Sequence, residues 1–545
     1  MHSLSGKSLT RTLFFTLLFM VLNPSHGSAQ TNAPLAKISL PPLAWSSWNS
    51  FSNTIDSDIT MQQARAMVSS GLQKAGYEYV NIDEGWWLGD RDAAGNIVVD
   101  PKRWPAIAPG DRPGDMANIV RYIHSLGLKA GIYTDAGKDG CSMFPDIGPA
   151  YADVGSEGHY EQDFLQFAKW GFDFVKVDWC GGNKENLSAD VQYGEIARAI
   201  ARAEQITGKR LYYSICDWGK QSPWTWGAGV GGSVQDVWRV SGDIVAPVVA
   251  SGPHTERKAG FDKMMQNFDE GIHPEAQHTG YYNDPDMMVL GMPGFNAEQN
   301  RLHMALWVVS GAPLIIGADL TKLDAETLRT LSNSDALAID QDPLGLQCIK
   351  AKELSPGLEI WSKFLATPGS RAVLLLNRTY FPAPISVEGP ELGLKRGSAS
   401  AREVWANKDL GAEKDSFQAT VPAQDAILLI VRGSEGPSAS YLPLVAKRDS
   451  EKAGASSETV FSQVSHVSSP FAQIRIVYAN EAQSAEIVGL YVNGEAGTRV
   501  AFPPTKGGLA SVWIQAKLNR QGDMNKLTFD TSPASGLKIK SIDVY

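Results

Sequence analysis

Histidine and cysteine are scarce in this chain, with nine and four among 545 residues. No CxxC occurs, and the histidines show neither HxH nor HExxH spacing, so no metal site is expected. Positive charge is in deficit. Lys and Arg number 49 against 59 Asp and Glu, and the net charge of −10 disfavours nucleic acid and anionic membranes as partners. No GxGxxG follows the first apolar run, which disfavours a dinucleotide-binding fold. The four cysteines, Cys141, Cys180, Cys216 and Cys348, permit three complete pairings, among which spacing does not choose.

Long hydrophobic runs are confined to the start. Lys7 and Arg11 precede an apolar stretch from Leu13 to Leu22, and Gly27-Ser28-Ala29 supplies small residues for cleavage. Residues 1–29 therefore read as a signal peptide, with a secreted or periplasmic mature protein and no membrane anchor after cleavage. The composition of the whole chain is ordinary for a globular protein, with 43% hydrophobic and 20% charged residues, but the chain is too long for one core.

From 38 to 343, short apolar runs alternate with helical patterns. The expected strands are Leu43–Trp45, Tyr79–Ile82, Lys129–Tyr133, Phe174–Val177, Leu211–Ser214, Val237–Val240, Met287–Leu290 and Leu314–Ile316. Amphipathic segments such as Thr60–Lys74, Met116–Leu126, His159–Trp170 and Val191–Ile206 separate them, with Gly76, Gly127 and Gly171 just past helix ends. Eight such repeats predict an α/β fold, a (β/α)8 barrel. Residues 344–432 are β-rich with Gly and Pro turns, as in an antiparallel β-sandwich. A linker is expected at 433–439 and a third, all-β domain at 440–545.

Active sites of such barrels lie where the strands finish. Phe174-Val175-Lys176-Val177-Asp178 reads as a buried strand ending in a carboxylate, with Lys176 and Asp178 on one face. Other strand ends bring Trp48, Asp83, Glu84, Tyr133, Asp135, Asp217, Trp218, Arg239, Asp243, Asp284 and Asp286. A single Asp after a strand is often only a helix cap. Carboxylates from six strand ends, with few cations, would repel anions. They suit a neutral sugar whose transition state becomes positive, with tryptophans packing on its C–H face. Lys176 should keep Asp178 ionised, as a nucleophile requires. The acid/base is left to another strand end, for which Asp243 is a candidate.

These motifs resemble those of glycoside hydrolase family 27, the α-galactosidase-like retaining enzymes, over roughly residues 40–345. The similar stretches are Ala44-Trp45-Ser46-Ser47-Trp48-Asn49, Asn81-Ile82-Asp83-Glu84-Gly85-Trp86, Lys176-Val177-Asp178-Trp179-Cys180, Tyr213-Ser214-Ile215-Cys216-Asp217-Trp218, Trp238-Arg239-Val240-Ser241-Gly242-Asp243 and Asn283-Asp284-Pro285-Asp286. The resemblance implies a barrel followed by a β-sandwich, Asp178 as nucleophile and Asp243 as acid/base. It places Trp48, Asp83, Tyr133, Lys176, Arg239 and Asp286 against the sugar. It pairs Cys141 with Cys180 beside the pocket and leaves Cys216 a free thiol lining the site.

Three positions depart from the family pattern: Glu84 and Asp217 exchange the usual Asp and Glu, and Trp179 replaces a small residue after the nucleophile. A longer Glu84 either reaches the same hydroxyl or fills the space of a missing hydroxymethyl group. The resemblance thus implies an exo-acting α-galactosidase on oligo- or polysaccharides. The alternatives are a β-L-arabinopyranosidase and a non-catalytic sugar-binding relative. Residues Ile474–Asn480, Leu490–Gly494 and Ile542–Tyr545 resemble family-35 carbohydrate-binding modules, which are β-jelly-rolls that often hold a structural calcium. The acidic ligands are not recognisable here, so no cofactor is expected.

Overall fold

The computed structural model describes residues 33–545 apart from 142–153, 229–235, 246–259, 413, 437, 445–456, 466–470, 519–521, 523 and 532–534. The expected signal segment lies outside the described residues. Among them, no helix is long and apolar enough to cross a membrane.

Eight parallel strands form one sheet: β1 (Leu43–Ser46), β2 (Tyr79–Asn81), β3 (Lys129–Asp135), β4 (Phe174–Asp178), β5 (Tyr212–Cys216), β6 (Val237–Arg239), β7 (Tyr282–Asp284) and β8 (Leu314–Ile316). They lie in the order β8-β1-β2-β3-β4-β5-β6-β7. The ring is closed by a parallel bridge between Met288 and Ile316. Met288 N–H donates to the Ile315 carbonyl at 2.7 Å, and Gly317 N–H to the Met288 carbonyl at 2.9 Å. The strands are almost continuously buried, which is why they read as short apolar runs without alternation.

The seventh strand departs from expectation. It is Tyr282–Asp284, not Met287–Leu290. Proline at 285 has no N–H to continue a ladder, so pairing stops there. The apolar run that follows is buried as the closing segment.

The outer helices include α1 (Ser57–Ser69), α2 (Ala117–Ser125), α3 (Tyr160–Trp170), α4 (Ala189–Thr207), α5 (Gly260–Glu270) and α6 (Ala297–Ser310). Asp56 caps α1 by accepting from Ile59 N–H at 2.8 Å. The single helix expected at Thr60–Lys74 is broken. Gly71 takes φ 88°, and a separate turn, Leu72–Ala75, follows.

Beyond the barrel, a six-stranded antiparallel sheet and a two-stranded one form a sandwich between Ile349 and Arg432. Its inner face buries Ile360, Val373, Leu375, Val387 and Leu429. Two further four-stranded sheets make the C-terminal β-domain. Alternate residues Ile474, Ile476 and Tyr478 enter its core.

The units touch. Gln515 donates to the Gln347 carbonyl at 2.9 Å, and Trp513 and Tyr545 both pack on Phe364, with centroids 6.2 and 6.3 Å away. Arg378 of the sandwich makes two hydrogen bonds to Asp269 of α5, at 2.8 and 2.7 Å.

Candidate active site

The C-terminal ends of the strands converge on a cavity of about 440 Å³. Its wall includes Trp48, Asp83, Glu84, Lys176, Asp178, Trp218, Arg239, Asp243 and Asp286. Three residues expected at the sugar do not form this wall. Cys216 faces a smaller adjoining space of about 30 Å³ with Lys176 and Arg239. Tyr133 and Asp217 lie behind the surface, at 1% and 0% exposure.

Parallel register sets the geometry. Tyr133 lies beside Lys176, Asp135 beside Asp178, and Asp178 beside Cys216. Lys176 therefore reaches two carboxylates, Asp83 at 3.0 Å and Asp178 at 3.6 Å. Burial pushes Asp178 above its ordinary 3.8; Lys176 opposes this, while Asp243 and Asp83 add to it. One Asp178 oxygen accepts from Trp179 N–H at 3.0 Å. Asp83 is anchored in turn, accepting from Glu84 N–H at 2.9 Å and giving its own N–H to Ser47 Oγ at 2.9 Å.

Across the cavity, Arg239 bridges Asp286 at 3.0 Å and Asp243 at 3.2 Å. Asp286 has φ 93°, a strained conformation for a non-glycine residue. It is held by its N–H donating to Asp284 at 2.8 Å and by its carboxylate accepting from Ile244 N–H at 2.6 Å. The same carboxylate thus orients Arg239 and fixes the chain one residue past Asp243. Burial pushes Asp286 up to about 7, against the pull of Arg239.

Tyr133 places its hydroxyl among Asp178, Glu84, Asp135 and Asp83, with no hydrogen-bond partner among the described residues. Burial and those charges hold the phenol well above 10, so it remains a donor. Asp217 has one oxygen on Gly219 N–H at 3.2 Å and the other buried without a partner among the described residues, and burial raises it to about 8.

Asp135 serves local structure. It accepts from the N–H groups of Gly137, Cys180 and Gly181 at 2.7, 2.6 and 3.1 Å, which shapes the turn after the nucleophile candidate. That turn is pinned by the Cys141–Cys180 disulfide, while Cys216 and Cys348 are free and buried. Asp135, Cys141, Asp178 and Cys180 bring potential ligand atoms within 4.8 Å of one another. With both sulfurs in a disulfide, and Asp135 occupied by backbone donors, they make a poor metal site.

Sequence reasoning missed Asn49, Lys263 and Gln266, which also line the cavity. Asn49 stood inside a quoted motif. Lys263 and Gln266 lie on α5, whose helical spacing carried no sign of which face meets the site.

The fold agrees with that of solved structures. A family model described as α-galactosidase A matches residues 41–342, over half of the chain. The chain belongs to the α-galactosidase family. Family membership makes it a glycosidase, with the sandwich matching the α-galactosidase C-terminal β-sandwich domain over 355–431. A probable α-galactosidase of Dictyostelium discoideum is 36% identical, covering 71% of this chain and 91% of its own length. An α-galactosidase of Oryza sativa subsp. japonica is 34% identical over 72% of this chain and 84% of its own. Among solved structures, α-galactosidase I from Mortierella vinacea superposes with a TM-score of 0.63 at 26% identity, covering 73% of this chain and 98% of that one. The C-terminal resemblance needs correction. Residues 458–539 match a model described as the CBM13 domain of α-galactosidase, not a family-35 module. Short strand motifs common to β-sandwiches carried too little information to separate the two.

Proposed function

We propose that the protein is an exported, exo-acting, retaining glycosidase that removes terminal α-D-galactosyl residues from oligo- or polysaccharides. The observation that carries this reading is the placement of Asp178 and Asp243 on one cavity, with unequal access to water. The Asp178 side chain is 6% exposed and that of Asp243 30%.

Asp178 attacks the anomeric carbon, and Lys176 supports its ionised state. Asp243 donates a proton to the departing glycosidic oxygen, so that the aglycone leaves as an alcohol. In the second half-reaction Asp243 takes a proton from water, which displaces Asp178 from the glycosyl ester and restores the original configuration. The more open carboxylate suits this proton exchange. Asp83 is suited to hydroxyl contacts and Trp48 to the sugar's apolar face. The carboxylate excess favours a positive transition state. The disulfide fits an oxidising compartment, as the expected export signal requires.

One observation favours a second reading, a β-L-arabinopyranosidase. Glu84 is 1% exposed and its Oε1 lies 2.6 Å from where a Cβ on Gly140 would stand, so the longer acid is packed in at the cavity wall. L-Arabinopyranose is galactose without the hydroxymethyl group, and Glu84 would occupy that space. Hydrolysis rates on nitrophenyl α-D-galactopyranoside and nitrophenyl β-L-arabinopyranoside decide between them. Faster release from the galactoside supports the first reading, faster release from the arabinoside the second, and no release from either contradicts both.

A further inference from the structure

Among the described residues three cations line the cavity, and two of them are committed. Lys176 pairs with Asp83 and Asp178, and Arg239 with Asp243 and Asp286. The third, Lys263 of α5, is only 7% exposed, yet makes no ion pair or hydrogen bond among the described residues. Charges on Glu270, Asp286, Arg239 and Asp243 act on it, without any of these carboxylates meeting it in an ion pair. Its stem is buried while its ammonium opens on the cavity, where a charge largely screened from bulk water gains from an ionic partner.

Its position says what could meet it. Lys263 Nζ lies 3.6 Å from where a Cβ on Gly242 would stand, immediately before Asp243. The ammonium therefore sits on the acid/base side of the cavity, where the departing oxygen and its aglycone must lie. Gln266, nearly one turn along α5, lines the same wall and can contact hydroxyls.

We propose that Lys263 is the anion-recognising residue of an aglycone subsite, selecting substrates whose leaving sugar bears a carboxylate, as a uronic acid does. The inference rests on the glycosidase reading above and adds the class of leaving group. The strand-end carboxylates disfavour an anion on the sugar being cleaved, whereas a carboxylate on the leaving sugar would give Lys263 the ionic partner it lacks among the described residues. Lys263 does not act on the bond being broken; it is a specificity residue.

The test uses the glycosyl residue preferred in the nitrophenyl comparison, joined by 1→2, 1→3 and 1→4 links to D-glucuronic acid and to D-glucuronamide. The expected result is a kcat/KM for at least one acid about tenfold to a hundredfold above that for its amide. Lys263→Met should erase that ratio, Lys263→Arg should keep most of it, and both should hydrolyse the nitrophenyl glycoside within about threefold of the unmodified enzyme. Equal rates on acid and amide in the unmodified enzyme would overturn the proposal, whether or not the variants fold. So would a ratio unchanged in Lys263→Met. Failure on every nitrophenyl glycoside would instead sink the glycosidase reading. Calorimetric binding of free D-glucuronate against D-glucuronamide then tests the anion site alone, and equal affinities would overturn it.

Discussion

At the scale of single residues, buried charge governs this site. Asp178 is desolvated, and Lys176 offsets only part of that effect. The acid limb of kcat/KM should therefore lie above pH 3.8, where an ordinary Asp would place it, and a pH–rate profile checks this. Asp178→Asn should lower kcat by about 10⁴-fold or more without lowering Tm, because the amide keeps the shape and removes a charge repelled by Asp243 and Asp83. Full turnover in that variant would contradict the nucleophile assignment. Asp217 allows a test of stability. The folded protein holds its proton to about pH 8, whereas the unfolded chain releases it near 3.8. The folded state thus binds more protons between those values, and stability falls as pH rises through that window. Asp217→Asn should raise Tm by roughly 2–4 °C at pH 9 and leave it unchanged near pH 4, as followed by calorimetry.

At the scale of elements, the sequence was legible where chemistry and pattern coincide. The run Phe174–Asp178 announced both a strand and its carboxylate end at the cavity, because a parallel strand buried on both faces permits a charge only at its pocket end. The seventh strand was misplaced because Met287–Leu290 is more apolar than Tyr282–Asp284, although proline at 285 marked the boundary. The hairpin Trp87–Arg91 with Ile97–Val99 passed unnoticed, since its register is irregular and its charged residues resemble a loop. Lys263 was missed for a related reason. Nothing in a helical period tells which polar residue faces a cavity made by other segments.

The loop carrying Gly140 gives a prediction at this scale. A Cβ there would meet Glu84 Oε1 at 2.6 Å and Trp87 at 3.2 Å. Gly140→Ala should displace Glu84 and change kcat/KM by about tenfold, with the ratio of galactoside to arabinoside rates shifting more than Tm does. An unchanged ratio would show that Glu84 does not read the sugar.

At the scale of the whole molecule, the barrel supplies the chemistry and the β-domains brace it from outside. Removing the C-terminal β-domain would uncover Phe364 and take away the Gln515 bond to Gln347. Exposing a Phe costs roughly 1.5–3 kcal/mol. A chain ending at residue 436 should therefore melt several degrees lower, while kcat on a nitrophenyl glycoside stays within about twofold, because none of that domain's described residues lines the cavity. The overall α/β barrel and the β-rich remainder were legible from composition and spacing. The docking of the β-domains was not, because it depends on contacts such as Trp513 with Phe364 that no local pattern encodes.

The central claim is that Asp178 and Asp243 act on opposite sides of one glycosidic bond, with Asp178 forming a covalent ester. It is tested most directly by incubating the enzyme with a slowly turning-over fluorinated glycosyl fluoride and mapping the adduct by peptide mass spectrometry. A single glycosyl group on Asp178, with the first-formed product retaining its anomeric configuration by NMR, is the predicted result. Turnover with inverted configuration and no label on Asp178 would contradict it.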